Sequence, residues 1–170
     1  MPRHPMNLRG RPVKIGIGLA SMALLAIAAP CPAAPNGAQE AAYCAALKQV
    51  VALAGGDGFQ SIAGAPRDGN YVEARIAFPG WTDCLLYGTG AYTCDSKPFK
   101  GPDDAQYEQV GILREVQACL GSMWREAKDR SSPSYAVLHH TVRPITITLN
   151  TDETEKNEHI VRLTVIIRRN

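Results

Sequence analysis

None of the strong catalytic signatures occurs in this chain: no GxSxG elbow, no HExxH pair, no Walker loop and no dinucleotide fingerprint. There is also no CxxC pair and no cysteine-histidine spacing of the zinc type, which removes the usual sequence grounds for a metal or redox centre. Gly88, Thr89 and Gly90 look like half of a phosphate loop, but they join strand to strand. No helix N-terminus follows to receive a phosphate, so they are read as a hairpin turn. Neither a cofactor nor a metal is expected.

Acidic residues are missing from residues 1–38, which carry Arg3, Arg9, Arg11 and Lys14. The formal charge of +2 is therefore misleading. Of 18 basic and 16 acidic residues in the whole chain, residues 39–170 keep 14 basic against all 16 acidic, a balance of −2. That part has no basic excess to attract nucleic acid or an anionic membrane.

The one long apolar run, Ile15 to Ala29, follows a basic stretch and is broken off by Pro30, Pro32 and Pro35. It falls short of the roughly 20 apolar residues of a membrane span and has the form of a signal-peptide core. Residues 1–38 are accordingly expected to be a cleaved leader, with exits after Ala28, Ala33 or Ala38. No stable membrane span is expected after cleavage. Only the first exit would retain Cys31, and Pro30 directly before it argues against lipid attachment. The n-region has no Arg-Arg pair, so the general secretory route to the periplasm or the exterior is expected.

Cys44, Cys84, Cys94 and Cys119 are then an even set in an exported chain, which implies a disulfide framework. Strands Asp83 to Tyr87 and Ala91 to Asp95 flank the Gly88 to Gly90 turn. A hairpin centred on Thr89 sets Cys84 opposite Cys94 and Leu86 opposite Tyr92, close enough for a bridge. Cys44 and Cys119, each on a helix, form the second bridge.

The remaining elements follow from periodicity. Tyr43, Cys44, Leu47, Val50, Val51 and Ala54 share one face of a helix over about Gln39 to Ala54, stopped by Gly55 and Gly56. Val72, Ala74, Ile76 and Phe78 alternate as a strand. Asp103, with Gln106 as the reciprocal half of a capping box, opens a second helix. Its apolar side runs through Ile112, Leu113, Val116, Cys119, Leu120, Met123 and Trp124. Two more strands alternate through Ile145, Ile147, Leu149 and through Val161, Leu163, Val165, Ile167, and no internal repeat is visible.

The fold expected for residues 39–170 is a single α+β domain with two disulfides: two amphipathic helices on one face of an antiparallel sheet of about five strands, order α-β-β-β-α-β-β. That order resembles the element order of type III secretion chaperones. The resemblance is of order alone and implies no residue role or activity.

Candidate functional residues are few. Trp81, Tyr87 and Tyr92 form a possible aromatic binding surface. Asp83 and Asp95, expected across the hairpin from each other, are a possible acid/base pair. His139 and His140 are adjacent in a segment that reads as extended, which points their rings to opposite faces, and His159 is a third histidine in reach only if its strand lies alongside. The function expected is a small exported binding protein, such as an inhibitor, a chaperone-like factor or an immunity-type factor, whose partner is another envelope or secreted protein. The alternative is a small periplasmic hydrolase without a familiar motif.

Overall fold

The computed structural model describes residues 35–88 and 90–168. The basic n-region, the apolar run, Cys31 and the exits at Ala28 and Ala33 lie outside these residues, as does Thr89 at the expected centre of the hairpin turn. Ala38, the third exit, lies inside the first helix.

Helix α1 spans Pro35–Ala54 and helix α2 spans Pro102–Leu120. Four strands follow each helix: β1 (Ala63–Pro66), β2 (Tyr71–Ala74), β3 (Trp81–Tyr87) and β4 (Ala91–Ser96), then β5 (Trp124–Glu126), β6 (Tyr135–His140), β7 (Ile145–Glu153) and β8 (His159–Ile167). They build one antiparallel sheet in the order β1-β2-β3-β4-β8-β7-β6-β5. The same α-β-β-β-β unit therefore occurs twice, and the last strands of the two units, β4 and β8, meet at the middle of the sheet.

This corrects the expected count and order of strands, and the likeness in order to type III secretion chaperones ends with it. Two of the unexpected strands are short edges. β1 contains Gly64 and ends on Pro66, which only an edge strand tolerates. Gly64 is needed where it is, because a Cβ there would stand 2.9 Å from the carbonyl oxygen of Glu73 on β2. β5 exists because α2 stops earlier than its apolar stripe suggests. Gly121 takes φ 73° and donates its N–H to the carbonyl of Gln117, ending the helix. Trp124 is thus a buried strand residue and Met123 an exposed loop residue, not parts of the helix face. The expected capping box is not formed either: Gly101 is the N-cap and no side chain caps the helix. The alternation from Val72 to Phe78 is strand only as far as Ala74.

Both helices pack on one face of the sheet over a single core. Tyr43, Leu47, Val50, Val51 and Ala54 of α1 and Ala105, Ile112 and Val116 of α2 meet Tyr92, Cys94, Ile147, Leu149, Val161, Leu163 and Val165. Leu163, Val165 and Ile147 are fully buried, each stabilising the fold by about 1.5–3 kcal/mol relative to an exposed side chain. Gln109 is the polar exception in α2. Its amide lies between β6 and the loop before it, donating to the carbonyl of Ser134 and accepting from the N–H of Tyr135, both at 3.2 Å.

Two disulfides, Cys44–Cys119 and Cys84–Cys94, cross-link this core in the pairing expected from the sequence. The first ties α1 to α2 with a Cα separation of 5.4 Å, and the second closes the β3-β4 hairpin at 4.1 Å. The hairpin register is symmetric near the turn, with Tyr87 opposite Ala91, Leu86 opposite Tyr92 and Leu85 opposite Thr93. Beyond Leu85 a bulge shifts it by one residue, so that Thr82 stands opposite Asp95. Asp83 takes up the bulge in the left-handed region, φ 43°.

Candidate functional site

Helices α1 and α2 pack on one face of the sheet, and the other face carries neither of them. Antiparallel register places directly opposed residues on the same face, so three rows can be traced across it. The first runs Tyr71, Tyr87, Ala91, Ile166, Thr146, His139, Arg125. The second runs Glu73, Leu85, Thr93, Thr164, Thr148, Val137. The third runs Thr82, Asp95, Arg162, Asn150, Tyr135.

Each row has its own chemistry. Tyr71 and Tyr87 are 41% and 50% exposed with ring centroids 5.0 Å apart and planes inclined at 42°, a tilted aromatic pair near one edge of the sheet. The middle is a threonine ladder in which Thr93 and Thr164 share a hydrogen bond of 3.2 Å between their hydroxyls. Val137 is buried here outside the helix-side core, and its backbone hydrogen-bonds Ala127 and Ser131 in the segment that follows β5. The Thr146 hydroxyl is buried on this face without a hydrogen-bond partner.

The third row is an ionic network. The Arg162 guanidinium donates to both carboxylate oxygens of Asp95, at 2.7 and 2.9 Å, and to Asp152 at 2.7 Å. Asn150 in turn donates to Asp152 at 2.6 Å. The hydrogen bond to Asp95, with the charges of Asp95 and Asp152, holds Arg162 protonated even more firmly than usual.

The three aromatics singled out in the sequence are not brought together. Tyr92 is fully buried on the helix side, packed at 5.4 Å from Phe78, and donates its hydroxyl to the carbonyl of Ile76 at 2.9 Å. Burial pushes its phenol pKa up. Trp81 is half-buried, stacked on Tyr43 at 6.1 Å and edge-on to Phe78 at 5.7 Å. Only Tyr87 stands on the open face, and its companion there is Tyr71, which sequence reasoning did not select.

Of the polar candidates, the histidines are separated, whereas the two aspartates share a cleft without standing opposite each other, because the bulge sets Thr82 rather than Asp83 across from Asp95. Asp83 and Asp95 both border an open cleft of about 350 Å³ with Lys156 and Glu158. Asp95 is held by Arg162, while Asp83 lies 3.9 Å from Arg67. His139 faces the open side. His140 faces the helix side, where its Nδ1 accepts from the N–H groups of Val142 and Arg143 at 3.1 and 3.0 Å and its ring meets Trp124 edge-on. His159 stands opposite Glu153 while His139 stands opposite Thr146, which sets them about 23 Å apart along β7. Among the described residues no group of three histidine, cysteine, aspartate or glutamate side chains is placed to hold a metal ion. No helix among them is long and apolar enough to cross a membrane.

Compared with protein-family models, curated proteins and solved structures, the chain finds no match.

Proposed function

We propose that the folded domain is a small exported binding protein of the cell envelope, such as an inhibitor, chaperone-like or immunity-type factor, and that it holds another exported protein against the helix-free face of its sheet. The observation that carries this reading is the Tyr71–Tyr87 pair, exposed at 41% and 50% beside the threonine ladder. Tyrosines offer large amphipathic contact area with few rotatable bonds, and they are enriched where proteins meet. Leu85 and Ile166 add apolar area next to the pair. The basic and apolar leader in residues 1–38 and the two disulfides support an oxidising, exported setting.

The test is affinity capture from the native periplasm with three baits. The wild-type domain should recover one stoichiometric protein partner, and Tyr71→Ser/Tyr87→Ser should lose it. Tyr107→Ser, which alters an 84% exposed tyrosine on α2 away from the sheet, should keep it. A partner retained by the double variant and lost with Tyr107→Ser would overturn the assignment of the face.

A further inference from the structure

A second site is indicated on the helix side, independent of the open face. A cleft of about 400 Å³ lies between α1, α2, the turn before β3 and the segment after β4. We propose that this cleft binds an alkylammonium group, its carboxylate rim holding the cationic head and its aromatic wall holding the methylene stem.

The rim carries Glu40 of α1 and Glu108 and Glu115 of α2, and among the described residues the only cation lining the cleft is Lys97. Among the described residues none of these four forms an ion pair within 4.0 Å, so three carboxylates face one another with one amine to offset them. Burial and the charges of Glu40 and Glu108 push the Glu115 carboxyl above its ordinary range. Such an arrangement costs stability in the free protein, and a bound cation relieves it.

The floor supplies a second, separate observation. Tyr43 lines the cleft at 4% exposure, and its hydroxyl is buried without a hydrogen-bond partner. An orphaned buried hydroxyl costs about 1–3 kcal/mol, and it can accept from an ammonium N–H. Beside it, Trp81 stacks on the Tyr43 ring at 6.1 Å, and Phe99 completes an aromatic wall. Aromatic faces attract organic cations and pack against methylene chains, whereas a hydrated metal ion gains nothing from them. The volume is in the lower range of small-molecule sites and accommodates a short diamine or one lysine side chain.

Both sources carry the same chemistry, and titration of the 15N-labelled full-length folded domain separates them. The probes are 1,5-diaminopentane, the peptide acetyl-Ala-Lys-Ala-amide and its norleucine counterpart, followed through the Trp81 indole N–H and the Phe99 amide. Saturable shifts with the diamine assign a free amine, and shifts with the lysine peptide alone assign a partner's side chain. Either result requires that Glu108→Gln/Glu115→Gln weaken binding by at least about tenfold while the spectrum stays folded, since a charge-assisted hydrogen bond is of that order. Lys97→Gln should tighten binding, an opposite effect that misfolding could not produce. No saturable shift with any probe, an equal shift with the norleucine peptide, or binding untouched by both variants overturns the proposal.

Discussion

The two disulfides cross-link loops of very different length, and their unequal removal is the sharpest test of what holds this fold. Cys44–Cys119 spans a separation of 75 residues and Cys84–Cys94 a separation of 10. In the chain-entropy model these closures restrict the unfolded chain by about 4.5 and about 2.7 kcal/mol. The folded state modifies the second figure, because Cys94 is fully buried between Tyr92 and Leu163 whereas Cys44, Cys84 and Cys119 are half-buried. Truncating Cys94 to Ala leaves a small void and adds roughly 1 kcal/mol. Cys44→Ala/Cys119→Ala should therefore lose about 4.5 kcal/mol, and Cys84→Ala/Cys94→Ala about 3.5 to 4 kcal/mol. The first loss corresponds to a fall in Tm of roughly 10–20 °C for a domain of this size. Urea titration of both variants and the oxidised wild type measures the pair, and the m-value should rise in the long-loop variant as its unfolded chain expands. A hairpin variant less stable than the helix variant by more than about 1 kcal/mol would refute the loop-entropy reasoning and assign the cost to packing instead.

Two further outcomes follow from charged groups. Arg162→Ala should destabilise by about 1–3 kcal/mol, since it strands the largely buried Asp95 carboxylate, and Asp95→Ala added to it should recover part of the loss in a double-mutant cycle; additive losses would mean that the network is not coupled. Glu115→Gln should raise the unfolding free energy near pH 7 by only a few tenths of a kcal/mol, read as a small rise in the urea midpoint, the side chain being largely solvated. The folded-state pKa is raised above the unfolded value, so the penalty is absent below the ordinary glutamate range and grows as pH rises through the folded pKa. Equal midpoints at pH 4 and a gap at pH 7 are expected, and a gap that widens toward low pH would reverse the assignment.

What could be read from the sequence was whatever repeats often enough to have a period. The helix from Tyr43 to Ala54 and the long strands β7 and β8 show apolar residues at regular spacing over two or more turns or pleats. β1 and β5, with four and three residues, are too short to show any period, so the sheet was expected to stop well inside its true edges. The bulge at Asp83 was equally illegible, because aspartate in the left-handed region leaves no mark that distinguishes it from aspartate in a strand. The Tyr87 and Tyr92 placements were separable. Once Leu86 is set opposite Tyr92, the pleat puts Tyr92 on the apolar side and Tyr87 on the other, and Tyr71 joins Tyr87 by its own alternation with Val72. The Arg162 network had a weaker signal, a charged residue in the outward half of an otherwise apolar alternation. Nothing local announced that Asp95, 67 residues away, would meet it.

The central position of β8 has a consequence for how the chain acquires its structure. β8 is the last strand in chain order, yet it sits between β4 and β7, and its pairing with β4 joins residues as far apart as Ala91 and Ile166. The first meander can form locally, but it then presents the bare edge of β4 until β8, the last strand of the second meander, pairs with it. Unpaired strand edges are templates for association with other chains. A polypeptide threaded into an oxidising compartment from its N-terminus would hold the β4 edge open through the delivery of some 60 further residues. The Cys84–Cys94 bridge, closing early on a short loop, would keep that edge in register while it waits for its partner.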